Sequence, residues 1–240
     1  MQTAVHVYHD DHQNFQGYLA YDDQSSEKRP AVLVVHDWSG RNTFACQQAE
    51  HMAKTGYVGF AVDMYGEGNL GTTIEEKQAL IAPLMADRSL VKSRMLAALE
   101  IVRNLPQVDT KRIAVIGFCF GGLCALDLAR SGAPIVAAVS FHGLLQSPPA
   151  ALIQPINASL LILHGYDDPM ISPEAVNQFC QEMTQANADW QVHLFSQTQH
   201  AFMVPDAHNP TLGTMYQPHT AERAWHAMHF FLAEQFKQTS

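Results

Sequence analysis

Apolar residues are distributed along this chain in two rhythms. Residues 31–35, Ala-Val-Leu-Val-Val, form an unbroken apolar run between Pro30 and the polar pair His36-Asp37, and similar runs occupy 57–62, 113–116, 135–141 and 159–163. A run without polar alternation predicts a strand covered on both faces, as in the centre of a parallel sheet. Residues 4–9 and 15–21 instead alternate apolar and polar, with Asp11-His12-Gln13-Asn14 between them. That pattern predicts an antiparallel hairpin at a sheet edge, and 191–195 is expected to add a further strand.

Between these runs the period changes to that of a helix. Ala45, Ala49, Met52 and Ala53 fall on one helical face, with Asn42 or Thr43 as cap and Gly56 as the left-handed stop. Leu90, Val91, Met95, Ala98, Leu99 and Val102 repeat the stripe before Pro106. Ser172-Pro173-Glu174 combines a cap, a first-turn proline and a first-turn acid ahead of Val176, Phe179, Cys180 and Met183. A last helix is expected over about 220–236, with Ala221, Ala224, Trp225, Met228 and Leu232 inward. Strand and helix in alternation after an initial hairpin predict an α/β protein: a mostly parallel sheet with right-handed crossovers and helices on both faces. Ligands of such folds bind at the carboxyl ends of the strands.

Composition narrows the class. With 240 residues and 47% hydrophobic content the chain can bury a large core, and with no linker, repeat or low-complexity stretch it is expected to form a single domain over 1–240. A net charge of −9 with only 14 Lys plus Arg and no basic cluster argues against nucleic acid or an anionic membrane as partner, which leaves a small molecule. No apolar segment is long enough to span a membrane and no secretory leader pattern opens the sequence, so a cytoplasmic location is expected. Cys46, Cys119, Cys124 and Cys180 lack the spacing of a zinc site or a disulfide framework, and reduced thiols are expected. Among 13 histidines, His9-Asp10-Asp11-His12 and His226-x-x-His229 lack a third convergent ligand; they are expected to be solvated surface, with no metal.

Candidate chemistry starts at Arg112–Gly122, where an apolar strand ends in Gly117-Phe118-Cys119-Phe120-Gly121 and runs directly into a helix. This is a nucleophile elbow carrying cysteine: glycines stand two positions either side of Cys119 because a Cβ there would collide with the tight turn. The positive end of the following helix stabilises negative charge on the sulfur. Such a nucleophile needs a base, and the base needs an acceptor that fixes its tautomer. Asp168 follows the strand 159–163 in the frame Gly165-x-x-Asp168-x-x-Ile171 and is preferred as the acid over Asp167, which is expected to face water or cap the next helix. His200 follows the strand 191–195 and a polar turn, and the order Cys119, Asp168, His200 is that of an α/β-hydrolase sheet. Two backbone N–H groups are required for an oxyanion; Phe120, directly after the nucleophile, and Trp38, in the loop after 31–35, are the expected donors.

His36-Asp37-Trp38-Ser39-Gly40, Val62-Asp63-Met64-Tyr65-Gly66, the elbow, His164-Gly165-x-x-Asp168 and Gln199-His200-Ala201-Phe202 together resemble the dienelactone hydrolase family nearly end to end. The resemblance implies an α/β-hydrolase fold with a mostly parallel eight-stranded sheet and an N-terminal antiparallel hairpin. It also implies a Cys-Asp-His triad, no cofactor, and hydrolysis of a small carboxylic ester or lactone through a thioester acyl-enzyme. Asp37 occupies the position whose acid holds the nucleophile's proton at rest in the family, and a plain turn role for it is equally open. The family's arginine four residues past the catalytic histidine is Val204 here, which implies a less charged substrate unless Arg41 or Arg88 supplies a cation. Tyr65, Phe118, Tyr166, Phe202 and Met203, with Trp38 and Phe120, are expected to line an apolar cavity, each with core packing as its alternative. Rival functions are a thioesterase or peptidase using the same triad, and a non-catalytic ligand-binding or redox-sensing thiol protein.

Overall fold

The computed structural model describes residues 1–10, 13–24 and 26–238. Strands β1 (Gln2–His9) and β2 (Asn14–Tyr21) pair antiparallel, with Tyr8 opposite Phe15, as the alternating pattern predicts. The Asp11-His12 part of the expected turn lies outside the described residues, as does His12 of the N-terminal histidine group. The remaining strands of the main sheet are β3 (Arg29–Val35), β4 (Val58–Val62), β5 (Val108–Phe118), β6 (Ala137–Phe141), β7 (Ser159–Gly165) and β8 (Trp190–Phe195). The eight-stranded order is β1-β2-β4-β3-β5-β6-β7-β8, with β2 antiparallel to β4 and every later pairing parallel.

The unbroken apolar runs are explained by two cores. Ala31, Leu33 and Val35 of β3 enter one, and Val32 and Val34 the other; Leu160 and Ile162 of β7 separate from Leu161 and Leu163 in the same way. Successive side chains of a strand point to opposite faces, so a strand buried on both sides favours apolar residues at every position. On one face lie α1 (Thr43–Lys54) and α6 (Pro218–Gln238); on the other lie α3 (Arg88–Arg103), α4 (Phe120–Arg130) and α5 (Pro173–Gln185).

The expected helices form with the expected faces, save that Leu90 and Trp225 are half-buried at the edges of their stripes. In α1 the buried residues are Ala45, Ala49, Met52 and Ala53; the Asn42 side chain accepts the Ala45 N–H at 3.1 Å, and Gly56 follows at φ +95°. In α5 the Ser172 hydroxyl accepts the Ala175 N–H, and Val176, Phe179 and Met183 are buried while Cys180 is half-buried. Helix α2 (Ile74–Ala86) was not among the expected elements. It carries a capping box between Thr73 and Glu76, but Pro83 interrupts it and only Leu84 is buried, so no apolar stripe announces it. A short antiparallel pair, β9 (His208–Asn209) and β10 (Thr214–Met215), is also new.

The connection from β3 leads to β4 on one side, whereas β5 joins β3 on the other. This reversal is a topological switch point at the carboxyl ends of β3 and β5, the usual ligand position in an open α/β sheet.

Candidate active site

At the end of β5, Cys119 has φ 54° and ψ −115°, a left-handed conformation rarely held by a residue with a side chain and costing about 1–3 kcal/mol. Its N–H donates to Phe141 O at 3.0 Å, which ties the corner to β6. A Cβ on Gly117 would lie 2.0 Å from Gly121 O, and one on Gly121 would lie 2.2 Å from Val35 O. Both obstacles are backbone, so only glycine permits β5, α4 and β3 to approach this closely. Every residue of α4 is buried, and Phe120, its first residue, presents an N–H from the turn that has no intrahelical acceptor.

His200 is held on both sides by the segment before α6: its N–H donates to Gly213 O at 3.0 Å, and its carbonyl accepts the Met215 N–H at 2.9 Å. Its Nδ1 lies 2.7 Å from Asp168 Oδ2, while Asp168 Oδ1 accepts the Met170 N–H at 2.8 Å. The Asp168 carboxylate is fully buried, and Asp167 next to it is exposed. Burial opposes charge on the His200 ring, but the Cys119 sulfur and the Asp168 carboxylate outweigh it and raise the pKa from 6.5 to about 10. Nε2 of His200 is buried and makes no formed hydrogen bond among the described residues, leaving it available to the half-buried thiol.

The loop after β3 is braced from β4. His36 accepts the Met64 N–H at Nε2 (3.1 Å), so its Nδ1 carries the proton donated to Asp37 O, and burial keeps the ring neutral. Asp37 Oδ1 accepts the Ser39 N–H at 2.7 Å, an Asx turn that shapes the Trp38 loop. The Tyr65 hydroxyl donates to Trp38 O at 2.9 Å. Burial, with Cys124, Asp37 and Cys119 adding negative charge, pushes the Tyr65 phenol up and keeps it a donor. Lys77 of the unexpected helix α2 stands over the Trp38 ring at 5.5 Å.

Two residues with structural control of the site had no role in the sequence reading. Asp63 is a buried carboxylate that accepts four backbone N–H groups, from Gln16, Tyr65, Gly66 and Gly68, and so sets the loop that delivers Tyr65. Its place in Val62-Asp63-Met64-Tyr65-Gly66, an acid directly after an apolar strand and before a glycine turn, was the available signal. His142, fully buried with φ 39°, stands edge to face with the His200 ring at 5.1 Å; burial and His200 hold it neutral.

The expected wall of a substrate cavity is redistributed. Phe118 is fully buried, stacked on Phe141 at 4.9 Å and edge-on to Phe44, and Phe202 is fully buried against His142 and Phe195. For both, core packing on the α1 and α6 side replaces contact with a ligand: Phe118 because alternate side chains at the end of β5 turn that way, and Phe202 from the turn that follows His200. Tyr65 is buried with its hydroxyl committed to Trp38, Met203 lines a cavity between α1 and α6, and Tyr166 is 54% exposed beside the Asp168 loop. Arg88 is consumed in a buried ion pair with Asp127, and Arg41 donates to the Cys46 sulfur. His226 is exposed as expected for solvated surface; His229 is half-buried against His51 and departs from that expectation.

The parallel sheet, the cysteine elbow and the buried acid–imidazole pair at the strand ends define a hydrolase of the α/β-hydrolase fold. The dienelactone hydrolase family model matches residues 15–236. The solved structure of m3DLH is 36% identical and superposes with a TM-score of 0.91 over 98% of both chains. That of a dienelactone hydrolase-like promiscuous phosphotriesterase from metagenomic libraries is 32% identical, with a TM-score of 0.94 over 98% of both chains. A Bradyrhizobium sp protein named probable 2-oxo-3-(5-oxofuran-2-ylidene)propanoate lactonase is 28% identical over 206 residues, 82% of this chain and 80% of its own. This chain belongs to the dienelactone hydrolase family and is a carboxylic ester or lactone hydrolase.

Proposed function

We propose that the protein hydrolyses a small carboxylic ester or lactone with Cys119 as nucleophile, His200 as proton carrier and Asp168 as the acid that orients the ring. The observation that carries this reading is the 2.7 Å contact between His200 Nδ1 and Asp168 Oδ2, in a ring whose other nitrogen is left to the Cys119 side. His200, its pKa raised to about 10, already holds a proton at Nε2 and pairs it with the Cys119 sulfur, which bonds to the substrate carbonyl carbon. The resulting oxyanion is held by the N–H groups of Phe120 and Trp38. Collapse breaks the carbon–oxygen bond, and the leaving oxygen takes the proton from His200; in a lactone it stays tethered to the acyl group. Water then loses a proton to His200, attacks the thioester, and the thiol is restored as the carboxylic acid departs.

Asp37 is assigned to shaping the Trp38 loop rather than to holding the Cys119 proton, because its carboxylate already accepts the Ser39 N–H. With Arg88 and Arg41 committed elsewhere, a weakly charged substrate is favoured, and Tyr166 remains the expected wall residue offered for contact. Four free cysteines fit a reducing compartment, and a cytoplasmic location is part of the proposal.

A screen of small aryl esters, lactones and thioesters with wild type and Cys119→Ala tests the scheme. An aryl phosphotriester is included because of the named activity of the metagenomic relative. Loss of turnover by several powers of ten, with an acyl adduct on Cys119 found by mass spectrometry in the wild type, is the expected result. Full activity of Cys119→Ala would refute the assignment.

A further inference from the structure

Away from the elbow, α1 and α6 meet through two histidines distant in sequence. His51 Nε2 lies 3.0 Å from His229 Nε2, with the rings tilted by 57°. Both rings flank Trp225, at 5.3 Å and 6.2 Å between centroids. Together they line a cavity of about 460 Å³ between the two helices, which Glu222 and the exposed His226 also border.

We propose that His51 and His229 form a binding site for a divalent transition metal of the zinc class, held between α1 and α6. Imidazole nitrogens bind such ions at about 2.0–2.1 Å, so two of them on one tetrahedral centre stand about 3.4 Å apart. The observed separation needs to open by only a few tenths of an ångström, within the freedom of half-buried side chains. Each ring must offer a lone pair at Nε2, which requires the tautomer protonated at Nδ1 and no net loss of a proton. Burial lowers the pKa of both rings, aided by Lys54 at His51 and by His51 and His226 at His229, whose value falls to about 4.

No group of three His, Cys, Asp or Glu is already in ligand position among the described residues, so the two imidazoles form the fixed part of the site. Water, or the exposed His226 or Glu222 after a change of rotamer, completes the shell from the cavity side. The order of assembly explains why the chain pattern alone does not reveal the site. His226-x-x-His229 supplies one half, and the other half comes from α1, 178 positions away along the sequence from His229.

Calorimetric titration of the intact protein with zinc chloride tests the proposal, with Cu²⁺ quenching of tryptophan fluorescence as a second readout. One equivalent of Zn²⁺ is expected to bind wild type and Cys119→Ala alike, and affinity is expected to fall by about tenfold or more in His51→Ala and in His229→Ala. Cu²⁺ is expected to quench a component of the emission that is missing in Trp225→Phe. His51→Gln and His229→Gln, which keep a side chain of similar reach, give the same comparison if alanine loosens the helix contact. Absence of binding, binding unchanged in the histidine variants, or binding lost in Cys119→Ala would each overturn the proposal.

Discussion

Asp168 Oδ2 stands 2.7 Å from Nδ1 of His200, and that one contact determines which nitrogen of the ring faces the elbow. A carboxylate can only accept, so it holds the proton on Nδ1, and in the proposed scheme Nε2 is the nitrogen that exchanges a proton with sulfur. Asp168→Asn preserves the shape but offers an amide that can stabilise the wrong tautomer. Its kcat is expected to fall by roughly 10³–10⁴-fold with little change in melting temperature, measured by steady-state kinetics and a thermal melt.

The same pair has a signature in stability. The folded-state pKa of His200, about 10, exceeds the ordinary value of 6.5. The folded protein therefore holds this proton more tightly than the unfolded chain does. The stabilisation is complete below about pH 6.5 and is lost as pH rises through about 10. Urea unfolding of wild type and His200→Gln is expected to show a free-energy difference that shrinks from about pH 6 to about pH 10.5. A difference that stays constant over that window would contradict the linkage.

Tyr65 acts on the site through the Trp38 carbonyl, 2.9 Å from its hydroxyl. Tyr65→Phe keeps the ring beside His36 and Phe120 but leaves the carbonyl without this donor. A loss of about 1–2 kcal/mol in transition-state stabilisation is expected, which is roughly a five- to thirtyfold fall in kcat/KM carried mainly by kcat. A change confined to KM would instead assign Tyr65 to ground-state binding.

Remote from the chemistry, Asp127 joins Arg88 at 2.7 Å and Arg130 at 3.5 Å, and Arg130 continues to Glu182 at 2.8 Å. The network ties α3, α4 and α5 together, and burial pushes the Asp127 carboxyl up despite both guanidinium groups. Asp127→Ala leaves two buried cations short of an anion and is expected to cost about 3–5 kcal/mol in urea unfolding. Activity per folded molecule is expected to persist at low temperature.

Much of this architecture was legible in the order of residues, for local reasons. The periods of 31–35 and of Ala45, Ala49, Met52 and Ala53 report burial directly, because a strand or helix face is set by neighbours a few positions away. Gly117 is equally local, since a Cβ there would meet the Gly121 carbonyl, whereas the need for Gly121 comes from β3, whose Val35 carbonyl a Cβ there would meet. Helix α2 escaped notice because it lies mostly exposed, and a helix with one buried residue has no stripe to read.

What only the tertiary structure decided are the meetings of residues far apart in the chain. Phe118 was an equally good wall or core residue until β5 and β6 were in register and stacked it on Phe141. Asp63 and His142 acquire meaning only from the loops and rings brought against them, and His51 finds His229 only when α1 and α6 pack on the same sheet face. The sequence determined the elements of the main sheet and its buried helices, the elbow and the order of its candidate partners. Which side chains touch was decided by sheet register and helix packing, because those contacts join segments whose separation along the chain carries no information about distance in space.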